Sequence, residues 1–290
     1  MHEAKQLTVI SGKGGTGKTS IVSAFASLAK NAVFADCDVD AADLHLIMKP
    51  KIVERTDFRA LDEAVIDGSK CVKCGKCVEA CRFGAISSGF AVKPFSCEGC
   101  GVCEIVCPAG AISMREKVAG ESFVSKTRFG RLCHARLNPG EEASGKLVSV
   151  VRERAKKIAQ EQGNNLIIID GSPGIGCPVI ASIGGVELCL VVTEPTASGI
   201  HDLERVLGVA RHFKVRPLVC INKFDINEEK SLEIEEWCKK NGVKVVGKIP
   251  YDVAFTKAMI AGKTIIEYDD DGLSENVRGV WSEVERSLRQ

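Results

Sequence analysis

Apolar residues gather along the chain in short continuous runs. Leu7 to Ser11, Ala32 to Ala35, Leu166 to Asp170, Leu188 to Thr193, Leu218 to Asn222 and Val243 to Ile249 each span four to seven residues, the length of strands rather than helices. Between them lie longer segments with helical spacing, including Lys18 to about Lys30 and Glu141 to Gln162. Continuous Val/Ile/Leu strands alternating with helices predict a parallel sheet covered on both faces. The expected fold class is therefore α/β, a doubly wound and mostly parallel sheet. The stretch from Val118 to Val148 mixes short β-like pieces with a Pro139-Gly140 turn signal. The tail after Ser274 reads as a short, solvated helix of mixed charge.

Residues 66–115 break this alternation and repeat internally. Cys71, Cys74, Cys77, Cys81 and Ala85-Ile86 recur 26 residues later as Cys97, Cys100, Cys103, Cys107 and Ala111-Ile112. So constant an offset predicts a small pseudo-two-fold module. It is expected to be inserted at 66–115 into an α/β domain made of 1–65 and 116–290.

Composition adds one anomaly. A chain of 290 residues, 45% hydrophobic and 27% charged, fits about two ordinary globular domains. Lys+Arg 39 against Asp+Glu 38 leaves +1, so no broad field draws the chain to nucleic acid or to an anionic membrane. Cysteine is the outlier at 14 residues, eight of them between Cys71 and Cys107. The start of the sequence shows no export leader, and no apolar run reaches about 18 residues. A cytoplasmic, reducing setting is expected, where dense cysteines bind metal more readily than they form disulfides.

Gly12-Lys13-Gly14-Gly15-Thr16-Gly17-Lys18-Thr19 follows a predicted strand and opens a predicted helix, which is the setting of a phosphate-binding loop. Glycines let backbone N–H groups turn onto phosphate oxygens, and the helix N-terminus adds a favourable dipole. The candidate nucleotide-binding residues are Gly12, Gly14, Gly15, Thr16, Gly17, Lys18, Thr19 and Ser20. Lys18 is placed on the β- and γ-phosphates and the Thr19 hydroxyl on Mg²⁺.

With Lys13 near its start, the loop resembles the deviant Walker A motif of the MinD/ParA/nitrogenase iron protein ATPases. The resemblance implies an ATP hydrolase that forms a nucleotide-sandwich homodimer, with Lys13 crossing to the partner's nucleotide. Ala35-Asp36-Cys37-Asp38-Val39-Asp40 resembles the first switch of that family. It implies that Asp38 orients the attacking water and that Asp36 approaches Mg²⁺ through water, so the catalytic candidates are Lys13, Lys18 and Asp38. Asp40 and Asp43 read more simply as helix-start residues. Asp170-Gly-Ser-Pro-Gly174 resembles the second switch and implies a second water-mediated Mg²⁺ contact at Asp170.

Asn222-Lys223-Phe224-Asp225 resembles the NKxD element of GTPases, whose Asp accepts two N–H bonds from guanine. In the MinD-like family an Asn at this strand end faces adenine, and Ile249-Pro250-Tyr251-Asp252 resembles that family's other adenine-side loop. Asn222, Asp225 and Pro250 are thus the base-recognition candidates. ATP is favoured because the resemblance covers the whole α/β part; GTP stays open.

Cys71-x2-Cys74-x2-Cys77-x3-Cys81 and Cys97-x2-Cys100-x2-Cys103-x3-Cys107-Pro108 resemble the bacterial two-cluster ferredoxin run. The resemblance implies one 4Fe-4S cluster on Cys71, Cys74, Cys77 and Cys107, and a second on Cys97, Cys100, Cys103 and Cys81. Zinc competes for paired Cys-x2-Cys motifs, but each half here offers three tightly spaced thiols and a fourth. The first run departs from the pattern with Arg82 where proline is usual. Cys177 stands roughly where the nitrogenase iron protein carries a ligand of its bridging cluster. Cys177 with Cys133 is therefore a candidate intersubunit metal site, set against a plain packed thiol. Cys189 and Cys220 lie in apolar runs and read as small core residues.

The chain thus resembles MinD-superfamily P-loop ATPases that carry an inserted ferredoxin module. Mg²⁺-ATP and two 4Fe-4S clusters are the implied cofactors. The implied function is nucleotide-controlled electron transfer to a protein acceptor, with an ATP-dependent iron–sulfur cluster assembly or carrier protein as the alternative. The expected partners are a nucleotide, a second copy of the chain and a redox or cluster-accepting protein, with no nucleic acid and no membrane.

Overall fold

The computed structural model describes residues 3–39, 41–93, 96–141, 143–269 and 272–290. It divides into two compact units, one of residues 1–55, 122–136 and 144–290 and one of residues 56–121 and 137–143. The second unit is wider than the 66–115 expected from sequence, because the strands on either side of the cysteine repeat run on past those limits.

In chain order the elements are β1 (Lys5–Ser11), α1 (Lys18–Leu28), β2 (Ala32–Asp36), α2 (Leu44–Met48), β3 (Lys51–Ile66), α3 (Lys76–Ala80), α4 (Val102–Ile105), β4 (Ile112–Lys126), β5 (Arg131–Leu137), α5 (Ser144–Gln162) and β6 (Leu166–Pro173). They continue with α6 (Cys177–Ile183), β7 (Leu188–Thr193), α7 (Gly199–His212), β8 (Arg216–Asn222), α8 (Glu228–Lys240), β9 (Lys244–Ile249), α9 (Ala254–Ile260), α10 (Ile265–Tyr268) and α11 (Gly272–Arg289). The strand order is β3-β4-β5-β2-β6-β1-β7-β8-β9. From β5 to β9 every neighbouring pair is parallel.

The first unit is built as its apolar runs require. All six residues of β7 are buried, as are the first seven of β6, because helices cover both faces of the sheet. On one face Leu7, Val9, Phe34, Ile168 and Leu190 pack with α1 and α11, where the rings of Phe25 and Trp281 lie 4.8 Å apart. On the other face α6 docks on β1, its Ser182 carbonyl accepting from the Thr8 hydroxyl at 2.8 Å. Buried Arg152 of α5 donates to the carbonyls of Ala181 (2.6 Å) and Gly184 (2.9 Å) and to the Gln6 side chain (3.0 Å). It thereby neutralises the C-terminal end of α6.

One expectation is corrected. The tail is not a solvated helix: α11 buries Val277, Val280, Trp281, Val284 and Leu288 in the core. Those residues follow helical spacing and form one apolar stripe. The segment after Val118 holds β-strands, in line with its β-like pieces. It contains the end of β4 and then β5, which pairs parallel with β2.

The second unit has a small core of Ala64, Cys77, Ile86, Cys103 and Ile112. Its backbone preserves the repeat. Gly75 (φ 81°) and Gly101 (φ 72°) precede α3 and α4, and Gly84 (φ 60°) and Gly110 (φ 55°) recur in the same register. No helix among the described residues is long and apolar enough to cross a membrane.

Candidate nucleotide site and cysteine cavities

The carboxyl ends of the parallel strands open onto a cleft of about 720 Å³. This is where an open α/β sheet places its ligand, because strand-to-helix turns converge there. The predicted phosphate loop runs from β1 into α1 along its floor. Gly15 (φ 77°) and Gly17 (φ 90°) hold left-handed backbone that a side chain would strain. Gly14 and Gly15 have open space where a Cβ would stand, so their backbone faces the cleft unshielded, whereas a Cβ on Gly12 would strike Asp202 at 2.6 Å. Gly14, Gly15, Gly17, Lys18, Thr19 and Ser20 all line the cleft, while Thr16 is turned inward and buried.

The charged groups divide by environment. Lys18 is only 5% exposed, and its Nζ lies 3.8 Å from the Asp38 carboxylate. Asp36 accepts backbone N–H bonds from Asp38 (3.2 Å) and Leu44 (3.3 Å), so it shapes the segment between β2 and α2. Burial, and then the charge of Asp170, raise its pKa well above the ordinary carboxylate value. Asp170 is 1% exposed and neither of its carboxylate oxygens has a hydrogen-bond partner. Burial pushes its pKa up to about 7, against the pull of Lys18 and the nearby Thr19 hydroxyl. An unpaired buried carboxylate is costly, and a hydrated divalent cation between Thr19 and Asp170 would relieve that cost. The donor set therefore fits Mg²⁺. The Ser172 hydroxyl donates to the Cys37 carbonyl at 2.8 Å, tying the two switch-like segments together. Asp43 precedes α2 without a side-chain cap bond and lines the cleft, and Asp40 lies outside the described residues.

Lys13 is engaged within its own chain. Its Nζ lies 2.7 Å from Glu194 and 3.0 Å from the Thr196 hydroxyl. Glu194 also receives Lys223 at 3.0 Å, and Lys223 donates to the Gly15 carbonyl at 2.9 Å. Burial opposes ionisation of Glu194, but the hydrogen bonds from the two lysines outweigh it and hold the carboxyl below its ordinary value. Asn222 donates to the Thr16 carbonyl at 2.7 Å, so adjacent residues at the end of β8 hold adjacent carbonyls of the phosphate loop. Asp225 accepts from the Tyr251 backbone N–H at 2.6 Å, joining the two loops expected at the base. Pro250 stands between β9 and that bond, half-buried. Glu194 was not picked out from sequence, and Lys223 entered only as part of the NKxD-like element, with no role of its own. The available signal was their position, each immediately after a strand at the ligand edge of the sheet.

In the second unit the eight repeat cysteines separate into two cavities. Cys71, Cys74, Cys77 and Cys107 line one, and Cys81, Cys97, Cys100 and Cys103 line the other. Each set takes three thiols from one run and the fourth from the other. The Ala85 N–H donates to Cys81 Sγ and the Ala111 N–H to Cys107 Sγ, both at 3.3 Å, at equivalent places in the repeat. Burial raises the pKa of the Cys77 and Cys103 thiols. Among the described residues, no three His, Cys, Asp or Glu side chains are gathered as a single metal ion would require.

The model of the CobQ/CobB/MinD/ParA nucleotide binding domain matches residues 7–265. The chain belongs to this family. It is 35% identical to the uncharacterized protein MJ0578 of Methanocaldococcus jannaschii over 98% of this chain and 97% of that protein. It is 25% identical to MJ0579 of the same organism over 93% of this chain and 94% of that protein. Among solved structures it shares its fold with the septum site-determining protein MinD of Pyrococcus horikoshii, solved with Mg-ADP. That match has a TM-score of 0.61 and 16% identity and covers 98% of this chain and 96% of that one. MinD of Aquifex aeolicus superposes with a TM-score of 0.58 and 17% identity, over 98% of each chain.

Of the two thiols of the candidate intersubunit site, Cys177 is exposed at the first position of α6. Cys133 is wholly buried in β5, where desolvation pushes its thiol up to about 12. Cys189 and Cys220 are buried in β7 and β8, as their apolar settings predicted.

Proposed function

We propose that this protein is an iron–sulfur P-loop ATPase, in which ATP binding and hydrolysis in a homodimer control electron transfer through two 4Fe-4S clusters to a protein acceptor. The observation that carries the cluster part is the crossing of the two cysteine runs. Cys107 joins the first set and Cys81 the second, the exchange of fourth ligands found in two-cluster ferredoxins. Bound there, the clusters supply one-electron transfer at potentials set by exposure and by hydrogen bonds to sulfur. The Ala85 and Ala111 N–H groups are such bonds.

At the nucleotide, Lys18 and the loop N–H groups neutralise phosphate charge, while Thr19 and Asp170 hold Mg²⁺. Asp38, 3.8 Å from Lys18, orients the attacking water. Lys13 leaves Glu194 to reach the partner's nucleotide, so closure exchanges an internal ion pair for an intermolecular one. Asp225 accepts from the Tyr251 N–H and so joins the two loops assigned to the base, which is read as adenine on the family resemblance.

The exposure of Cys74 and Cys100, one thiol in each set, supports a second reading, a carrier that delivers clusters to other proteins. Anaerobic preparation with iron analysis and EPR, with and without Mg-ATP, tests the first reading. About eight irons per chain are expected, with a nucleotide-dependent rate of electron delivery. Absence of iron after anaerobic reconstitution, or electron delivery indifferent to nucleotide, overturns it. Rapid movement of clusters to an apo-acceptor moves the conclusion to the carrier.

A further inference from the structure

The two halves of the cysteine repeat share a backbone but not a charge. Residues 71–82 carry Lys73, Lys76 and Arg82 against Glu79 alone. Residues 97–108 carry Glu98 and Glu104 and no basic residue. Around the first cavity, Val72 is 65% exposed, Lys73 and Lys76 are exposed, and the Cys74 thiol reaches the surface between them. Neither lysine has an ion-pair partner among the described residues. Lys73 also holds φ 55°, where its repeat equivalent, Gly99, is a glycine at φ 66°. A lysine kept in left-handed backbone is strained, and strain of this kind collects at functional positions.

We propose that Val72, Lys73 and Lys76 form the docking face for an acidic one-electron carrier protein. This rests on the reading of Cys71, Cys74, Cys77 and Cys107 as cluster ligands. An exposed apolar centre inside a cationic rim fits a small, transient redox interface, which draws its speed and partner choice from opposite charge. The acidic second half, with Glu98 and Glu104 beside Val102, repels the same carrier.

The test uses the full-length, anaerobically prepared protein and oxidised ¹⁵N-labelled flavodoxin, an acidic one-electron carrier, followed by NMR. Binding is expected to perturb the acidic surface of flavodoxin and to weaken with salt. Lys73→Glu/Lys76→Glu should weaken it about tenfold or more at low ionic strength, Lys73→Ala/Lys76→Ala by less, and Glu98→Lys/Glu104→Lys not at all. Iron content and EPR of each variant are recorded alongside. Wild-type protein without iron removes the cluster reading and the docking face with it. Iron-replete protein whose flavodoxin binding ignores salt or the lysine variants overturns the docking face alone. Low-salt self-association abolished equally by both charge-reversal pairs assigns the face to a second copy of this chain and also overturns the proposal.

Discussion

Gly17 is where the phosphate loop should be most sensitive to one methyl group. It holds φ 90°, and a Cβ there would stand 2.4 Å from the Asn222 amide nitrogen. Gly17→Ala therefore incurs two costs. Left-handed backbone at a residue with a Cβ costs about 1–2 kcal/mol. Displacing Asn222 breaks its 2.7 Å bond to Thr16 and leaves a buried carbonyl unpaired, which costs about 1–3 kcal/mol. The expected loss of stability is about 2–5 kcal/mol. Asn222→Ala removes the same bond and also the obstacle. In that background Gly17→Ala should cost only the backbone term, so the double variant falls short of additivity by about 1–3 kcal/mol. Urea unfolding without nucleotide, followed by tryptophan fluorescence, measures this. Both tryptophans, Trp237 in α8 and Trp281 in α11, belong to the first unit, so the signal reads the unit that contains the loop. Additivity within about 0.5 kcal/mol would show that Asn222 does not brace Gly17 and Thr16 in solution.

Two further outcomes follow from single groups. Lys18→Ala should weaken binding of a fluorescent ATP analogue about 10- to 100-fold, the worth of a hydrogen bond to a charged group; unchanged affinity would remove Lys18 from the site. His134 bonds Ser125 at 2.9 Å and stacks on Phe123, and burial, followed by the charge of His45, pushes its pKa down to about 4. Because the folded value lies below the ordinary 6.5, its contribution to stability is complete above 6.5 and drains away as pH falls towards 4. His134→Gln should flatten that part of the urea-midpoint profile, and a profile with its acid slope unaltered refutes the assignment.

The strands and the site differ in how openly the sequence displays them. β1, β2, β6, β7 and β8 are buried over most of their length and read as apolar runs, whereas β9, at the edge of the sheet, buries only Val246 and Ile249. β3 has one wet face, with Phe58, Ala60 and Ala64 buried between Asp57, Arg59 and Asp62. That alternation is easily lost among so many charges. In α11 the stripe is present, but six Glu and Arg residues interleaved with it mask it in the sequence. The phosphate loop was legible because its function needs contiguous residues. The Lys13–Glu194–Lys223–Gly15 chain was not, since it is assembled from three strand ends far apart in sequence and becomes adjacent only when β1, β7 and β8 pair in register.

In the proposed function, nucleotide control of the cysteine unit has a covalent route along the backbone. The chain leaves the nucleotide domain through Asp36, Asp38 and Asp43, passes α2, and enters β3, whose residues from Thr56 onward belong to the second unit. It returns through residues 137–143, and the first residue back is Ser144 at the start of α5. Asp43 and Ser144 both line the nucleotide cleft. A ligand can bias a two-state protein only through contacts that differ between the states. In the proposed function the contacts available for that are the Lys18–Asp38 pair at the outgoing segment and the Lys13–Glu194 pair across the loop, where phosphate would compete for both lysines. Asp36 turns the first of these into backbone movement, because its carboxylate is bonded to the N–H groups of Asp38 and Leu44. A change at Asp38 is therefore felt at the first residue of α2, and three residues beyond that helix β3 begins.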